Sequence, residues 1–198
     1  MKYSKLNIDY YNNNAHLEAR NQLAKSFTDI HHWWYKSVEG KRRILDIGCG
    51  VGRDSAYLLA NNHEVVSVDP SDEMLEIAET TFPTLKGHLI NDKLPTLECI
   101  DYGNFDIIIC SSVFHLLPVE SHIDALSRLK SLLKPGGVIA LSLKHTPKEP
   151  ELSNYPTDYN ILLNMTRKVG LKVDSFNPTH DHITKNQIFW SNFILSCV

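Results

Sequence analysis

The residues best suited to chemistry form a glycine-rich turn that directly follows an apolar segment. Residues 46–52 read DIGCGVG, and we call them the glycine turn. Glycines adopt positive φ and let a ligand approach the backbone closely. Asp46 adds a carboxylate, which repels a pyrophosphate and suits a cationic, amine-bearing ligand. The turn therefore predicts a ligand site between the carboxyl end of a strand and the start of the next helix.

A second carboxylate supports the same site. Asp69 lies 17 positions after Gly52 and ends the β-branched segment that begins at Glu64. An acid at this strand end accepts hydrogen bonds from two ribose hydroxyls in dinucleotide-binding domains. Arg53, however, stands where a dinucleotide fingerprint requires glycine or alanine. The pattern thus indicates a ribose-bearing ligand other than NAD.

These two positions must be held by alternating strands and helices. Apolar runs predict strands over 43–47, 64–68, 86–90, 105–110, 138–143, 171–176 and 189–197. Helical spacing predicts one or two helices over 15–34, a helix opened by Ser71, and helices over 53–61, 121–133 and 158–169. Residues 1–14 show no clear period. The alternation indicates right-handed βαβ units and a parallel sheet.

The order of these motifs resembles that of class I S-adenosylmethionine-dependent methyltransferases. The glycine turn with Asp69 is similar to the family's cofactor-binding motifs, 105–110 with the following 111–117 to its fourth-strand motif, and 132–137 (LLKPGG) to the turn before its fifth strand. The resemblance covers most of the chain. It implies an α/β fold with a Rossmann-like, seven-stranded, mostly parallel sheet, an antiparallel C-terminal strand and helices on both faces.

The resemblance also implies how the chain is divided. We expect residues 1–40 to form an N-terminal helical segment that covers the cofactor, and residues 41–198 to form one methyltransferase domain. Tyr10 and Tyr11 resemble the covering segment of small-molecule members, and a tyrosine hydroxyl there could reach the cofactor or the acceptor. The alternative is a frayed terminus.

S-adenosyl-L-methionine is the cofactor that the resemblance implies. The glycine turn with Asp46 would line its methionine moiety, Asp69 would hold its ribose, and Asp92, or else Asn91, would bind the adenine amine. Asp54 would contact the cofactor amine, or else would only favour the dipole of its helix. The predicted cofactor-binding residues are Asp46, Gly48, Cys49, Gly50, Gly52, Asp54, Asp69, Pro70, Asp92 and Ser111.

His115 is the predicted catalytic residue. It lies in the segment 111–117, which follows the central strand and should face the methyl group. Histidine is the natural base near neutral pH, but methyl transfer needs a base only when the nucleophile carries a proton. The alternative is that His115 packs against the next helix and shapes the pocket. His145, after the fifth strand, is a second side chain that could reach the acceptor.

Charge and motif content narrow the acceptor. A net charge of −3 gives no built-in attraction for phosphate backbones. The chain also has CSSV where methyltransferases of nucleobase amines have an N-P-P-Y-type sequence. We therefore expect a small-molecule acceptor, methylated on oxygen, nitrogen, sulfur or carbon. The alternatives are a protein or tRNA methyltransferase and a cofactor-binding regulatory or partner-activating protein without transfer activity.

The sequence does not indicate a secretory signal, a membrane span, a cysteine pair or a metal site. Residues 1–14 lack the apolar core of a secretory signal, and no apolar run is long enough to span a bilayer. The four cysteines form no C-x-x-C pair, so we expect a cytoplasmic chain with free thiols. His180 and His182 flank Asp181, but we expect them to be solvent-exposed and predict no metal site.

Overall fold

A computed structural model describes residues 2–100, 104–145, 152–153, 155, 157–180 and 189–198. Its α-helices are α1 (Lys2–Asn13), α2 (Ala15–Leu23), α3 (Phe27–Tyr35), α4 (Arg53–Ala60), α5 (Asp72–Thr81), α6 (His122–Leu132) and α7 (Tyr159–Lys168). Its strands are β1 (Arg43–Ile47), β2 (Glu64–Asp69), β3 (Leu89–Asn91), β4 (Phe105–Ser111), β5 (Leu133–His145), β6 (Leu171–His180) and β7 (Phe189–Cys197).

All the strands belong to one sheet with the order β3-β2-β1-β4-β5-β7-β6. Strands β1 to β5 pair in parallel, while β7 is antiparallel to both β5 and β6. The chain moves outward from β1 to β3 and then returns to β4, on the other side of β1. Ligands of open α/β sheets bind at such a reversal. The predicted Rossmann-like sheet with an antiparallel C-terminal strand is confirmed.

The core has a layer on each face of the sheet. On one face, Ile108 and other strand residues pack with apolar side chains of α6 and α7. On the other, Ile107 and Ile109 pack with Phe27 and Trp34 of α3 and with α4. Because β4 is covered on both sides, its sequence is a continuous apolar run rather than an alternating one. The prediction of helices on both faces is confirmed.

Three predicted elements differ from the structure. Residues 2–13, which show no apolar period, form α1, because polar contacts attach this helix: the Asn7 amide donates to the carbonyl oxygens of Leu116 and Ser153. Strand β3 is shorter than predicted, with three residues. Strand β5 begins at Leu133 rather than at 138. The P-G-G sequence therefore lies within the strand, where the pairing of β5 with β4 shifts register.

The outer strands of the sheet are irregular. Strand β6 has a register shift between Val173 and Ser175 and contains Pro178. Near its start, Lys172 and Asp174 form an exposed ion pair of 3.2 Å. No helix in the described part of the chain is both long enough and apolar enough to cross a membrane.

Candidate functional site

A cavity of about 1280 Å³ lies between the carboxyl ends of the parallel strands and helices α1–α3. Its volume exceeds the range of about 300–1,000 Å³ that is usual for one small ligand. It extends from the glycine turn to residues near the carboxyl end of β5 and to the residues of β7 that pair with them. The predicted site residues that line it are Asp46, Gly48, Cys49, Gly50, Asp54, Asp69, Pro70, Asp92, Ser111 and His115.

The backbone of the glycine turn requires glycine at its bends. Gly48 and Gly50 have φ of +69° and +53°, in the left-handed region. A Cβ on Gly48 would overlap Val113, and one on Gly50 would overlap the amide of Gln22. Gly52 differs from the prediction, because it does not line the cavity. A Cβ there would overlap Leu85, so Gly52 allows the turn to pack against the protein interior.

Asp69 connects the glycine turn to the end of β2. Its Oδ2 accepts the Gly50 backbone N–H at 2.9 Å, and its Oδ1 accepts the Ser71 N–H at 2.9 Å. Burial raises the pKa of Asp69 to about 6, although these two bonds act in the opposite direction. Each carboxylate oxygen retains a second lone pair that can accept a hydroxyl. Asp69 therefore organises the turn in addition to its predicted role as a ligand contact.

Asp46 is buried beneath the turn, with 3% of its surface exposed. The Ser55 hydroxyl donates to its Oδ2 at 2.6 Å, and the Ser67 hydroxyl donates in turn to Ser55 at 2.8 Å. Burial, with the nearby charge of Asp54, raises the pKa of Asp46 to about 7. A cation next to Asp46 would favour its ionised form, so this carboxyl is suited to a positively charged ligand.

Asp54 belongs to a buried network that the sequence did not reveal. The His31 Nε2 lies 2.8 Å from Asp54 Oδ2, and the Arg53 Nε donates to Oδ1 at 2.6 Å. Since the Trp34 Nε1–H donates to His31 Nδ1 at 3.1 Å, the proton of the neutral ring is on Nε2 and points to Asp54. Burial alone would raise the pKa of Asp54, but the hydrogen bonds with His31 and Arg53 lower it to about 2. Asp54 is thus an ionised link between α3 and α4.

Two more residues of the N-terminal helices reach the glycine turn and the strand ends. Gln22 Oε1 accepts the Val51 N–H at 3.0 Å, and the carbonyl oxygen of Gln22 accepts Arg53 Nη1 at 2.7 Å. Asn12 Oδ1 accepts the Ser71 hydroxyl at 2.6 Å. Sequence reasoning missed these residues because lone polar side chains on helices carry no spacing signal.

The residues after β3 and β4 complete the part of the cavity next to the glycine turn, which we call the glycine-turn end. The two oxygens of Asp92 accept the backbone N–H groups of Lys93 and Cys99, so Asp92 holds its own loop while it lines the cavity. Asn91 does not line it, because its amide is bonded to Asp72 at 2.5 Å. Ser111 lies at the end of β4, and the next residue, Ser112, has a positive φ of 62°.

Polar side chains line the other side of the cavity, which we call the β5–β7 end. It consists of Ser142, Lys144, Pro178, Thr179, Trp190, Asn192 and His115. Ser142 is paired across the strands with Asn192, and Lys144 with Trp190. The Ser142 hydroxyl donates to Asn192 Oδ1 at 2.8 Å, and the Asn192 amide donates to Thr179 Oγ1 at 3.1 Å. Apart from His115, none of these residues was predicted, since their side chains meet only through strand pairing.

His115 lies in a short 3-10 helix, Phe114–Leu116, and is 4% exposed. Its Nδ1 accepts the Lys144 backbone N–H at 3.5 Å, a weak bond. Burial, together with the charges of Lys144 and His145, lowers the pKa of His115 to about 3. Taking up a proton would place an imidazolium in this buried position beside Lys144. The environment therefore argues against the predicted general base and favours a neutral ring that binds or shapes.

The remaining candidates have different positions. His145 does not line the cavity, because its ring stacks on Phe189 at 4.2 Å and its Nε2 lies 3.0 Å from Ser191 Oγ. Tyr11 lines the cavity, whereas the Tyr10 hydroxyl donates to Glu18 at 3.1 Å. Asp181 and His182 lie outside the described residues, as does the side chain of His180. Within the described ranges, no group of three or more His, Cys, Asp or Glu side chains could hold a metal ion.

Comparisons with known proteins agree with this geometry. Residues 44–137 match the model of a family described as a methyltransferase domain. The trans-aconitate 2-methyltransferase of Methylobacterium radiotolerans is 35% identical over 115 residues, which are 57% of this chain and 42% of that protein. An uncharacterized methyltransferase of Schizosaccharomyces pombe is 31% identical over 157 residues, 73% of this chain and 54% of that protein. The chain thus spans about half the length of the curated relatives it matches.

A solved structure extends the likeness over the whole fold. It is the 1,6-didemethyltoxoflavin-N1-methyltransferase of Burkholderia thailandensis, crystallised with 1,6-didemethyltoxoflavin and S-adenosylhomocysteine. The two structures align with a TM-score of 0.77 at 16% identity, covering 100% of this chain and 89% of the other. At this identity the alignment establishes the shared fold alone.

Proposed function

We propose, from the premise that this chain belongs to the class I S-adenosylmethionine-dependent methyltransferases, that it methylates a small molecule in the large cavity. S-adenosylmethionine would bind along the glycine turn and the ends of β2 and β3, and the acceptor at the β5–β7 end. Residues 1–40 would act as a cover and residues 41–198 as the methyltransferase domain.

The observation that carries the proposal is the pair of buried carboxyls, Asp46 and Asp69, beside the glycine turn. The raised pKa of each carboxyl reflects the cost of burying its ionised form, which a ligand with a cation or hydroxyl donors would compensate. The cofactor has the groups that would do so: an ammonium and a sulfonium near Asp46, and ribose hydroxyls near Asp69. Gly48 and Gly50 line the cavity with positive φ, and glycines there leave the backbone accessible to a ligand.

The chemistry would depend mostly on position. The cofactor supplies a methyl group on a sulfonium, which is already activated. The residues of the chain hold the acceptor in line with that methyl group and keep water away, and orientation of this kind can contribute about 7–11 kcal/mol to a barrier. The cover is suited to excluding water, because His31, Gln22 and Asn12 attach it to α4, the glycine turn and the start of α5.

The small-molecule assignment rests on charge and on relatives. The net charge of −3 gives no general attraction for nucleic acid. The named relative from Methylobacterium radiotolerans is a trans-aconitate methyltransferase, and the aligned structure contains 1,6-didemethyltoxoflavin. Both compounds are small molecules, and the volume left beyond the cofactor would accommodate one.

Calorimetry with three ligands tests the proposal. S-adenosylmethionine and S-adenosylhomocysteine should bind, and NAD should not. Incubation with S-adenosylmethionine and a metabolite extract should then produce S-adenosylhomocysteine. Binding of NAD without binding of either methionine-derived ligand would refute the family site. Cofactor binding with no product from any extract would favour the regulatory alternative over the enzyme.

A further inference from the structure

Gln22, on α2 of the cover, places its side-chain amide directly on the glycine turn. A Cβ on Gly50 would overlap both Oε1 and Nε2 of this amide. The backbone of Gln22 is held as well, because its carbonyl oxygen accepts Arg53 Nη1 at 2.7 Å. Gln22 itself lines the cavity. Its amide therefore borders the space in which the proposed cofactor would pass the glycine turn.

A hydrogen bond fixes the orientation of this amide. The Val51 backbone N–H can only donate, and it lies 3.0 Å from Gln22 Oε1. The oxygen therefore faces the turn, and the other edge of the amide is Nε2 with its two N–H donors. Among the residues that the structure describes, none accepts a hydrogen bond from this Nε2. Both donors thus remain available to a ligand.

The methionine moiety of the cofactor carries an ammonium and a carboxylate, which differ in what they need from the glycine-turn end. The buried acids Asp46, Asp54 and Asp69 favour the ammonium and repel the carboxylate. The carboxylate can only accept hydrogen bonds, so it needs a donor. Arg53 lines the same part of the cavity, but its guanidinium is already bonded to Asp54 and to the carbonyl oxygen of Gln22. The amide of Gln22 has two donors to offer.

We propose that Gln22 Nε2 donates to the carboxylate of the cofactor's methionine moiety. This proposal rests on the proposed function. One side chain would then hold the glycine turn through Oε1 and the ligand through Nε2. The cover would contact the cofactor directly, and a ligand without the carboxylate would lose this bond while keeping its contacts with Asp46 and Asp69.

A matched pair of ligands tests the proposal by calorimetry. S-adenosylhomocysteine would be compared with its decarboxylated analogue, which keeps the ammonium, the thioether and the adenosine. The readout is the ratio of the two affinities, because a change in the fold or in the attachment of the cover affects both ligands. Failure of S-adenosylhomocysteine to bind at all would refute the proposed function itself, not only the role of Gln22.

Gln22→Glu separates contact with the ligand from attachment to the turn. Glutamate has nearly the same shape and keeps an oxygen that can accept the Val51 N–H, but it has no N–H donor. The ratio should shift against S-adenosylhomocysteine by roughly tenfold or more, the scale of a hydrogen bond to a charged group. Thermal unfolding of the unliganded variant should stay near that of the wild type. A wild-type ratio in Gln22→Glu would overturn the proposal.

Two further variants complete the comparison. Gln22→Met has neither the acceptor nor the donor, so it should lower both the ratio and the thermal stability. Asn13→Asp makes the same amide-to-acid change at the exposed end of α1, outside the cavity, and should leave the ratio unchanged. An equal shift of the ratio in Asn13→Asp and Gln22→Glu would show a general effect of charge and contradict a direct bond.

NMR of the side-chain amide gives a second readout. The Nε2 signals of Gln22, assigned by their loss in Gln22→Glu, should shift more on addition of S-adenosylhomocysteine than with the decarboxylated analogue. Equal shifts with the two ligands at saturation would place the carboxylate away from Gln22.

Discussion

The glycine-turn end of the cavity buries acidic side chains, whereas the β5–β7 end buries a basic one. At the first, Asp46 and Asp69 are buried carboxyls whose pKa is raised to about 7 and about 6. At the second, His115 is a buried imidazole whose pKa is lowered to about 3. In both cases burial favours the neutral form. The difference is that a cationic ligand would restore the charge of the carboxyls at the first end, whereas at the second end the buried ring of His115 stays neutral.

The largest expected effect concerns the shape of the glycine-turn end. Gly50→Val should weaken binding of S-adenosylhomocysteine by roughly 100-fold or more, about 2.8 kcal/mol, because its side chain would overlap the Gln22 amide and distort the glycine turn that lines the cavity. Gly40→Val is the matched control, since Gly40 also has a positive φ, of 67°, but nothing lies within 4 Å of its Cβ. Equal affinities of the two folded variants, measured by calorimetry, would place the cofactor elsewhere.

Asp69→Ala should reduce both stability and binding. It removes the acceptor of the Gly50 and Ser71 N–H groups, and an unsatisfied buried donor costs about 1–3 kcal/mol. The cofactor affinity should fall by about 1.5–3 kcal/mol, the scale of a charge-assisted hydrogen bond. Sequence reasoning alone predicts little change in unliganded stability, so thermal unfolding tests the structural role. Asp72→Ala, on an exposed neighbouring acid outside the cavity, should change binding far less.

A smaller effect should appear as a pH dependence at the glycine-turn end. The raised pKa of Asp46 means that its protonation stabilises the unliganded fold fully below about pH 4 and ever less as the pH rises to about 7. A cationic ligand favours the ionised carboxylate. Affinity for S-adenosylhomocysteine should therefore rise with pH up to about 7, by at most about tenfold per unit for one proton.

Calorimetry in two buffers of different ionisation enthalpy would detect the proton released on binding below pH 7. Asp46→Asn is the control variant. It should bind more weakly and release less proton, and Asp69, with its pKa near 6, accounts for what remains. Release that is identical in the variant would remove Asp46 from the ligand's surroundings.

The smallest expected effect is that His115, at the β5–β7 end, does not titrate near neutral pH. Because the pKa of His115 is lowered to about 3, its ring NMR signals should not shift between pH 8 and about pH 5. The signals would be assigned by their loss in His115→Phe. A midpoint near 6.5 would show a solvated histidine and would restore the general base.

Motifs of consecutive residues predicted the glycine-turn end of the cavity, but they predicted few residues of the β5–β7 end. The glycine turn, Asp69 and the order of strands were readable because the backbone conformation of a tight turn restricts the residue types that can form it. Lys144, Trp190 and Asn192 were not readable. They meet because β7 returns antiparallel beside β5, and Ser142 and Asn192 are 50 residues apart. The helix α1 was missed for a related reason, since the polar bonds of Asn7 join it to Leu116 and Ser153, which are distant in sequence.

The irregular outer strands affect how copies of the chain can aggregate. An exposed strand edge templates another strand when it is long, flat and unbroken. Strand β3 has three residues, and β6 combines a bulge, Pro178 and the charges of Lys172 and Asp174. Neither edge suits cross-β growth. During refolding at high concentration, losses should therefore arise from transiently exposed core strands such as β4, and charged substitutions on β3 or β6 should do little to reduce them.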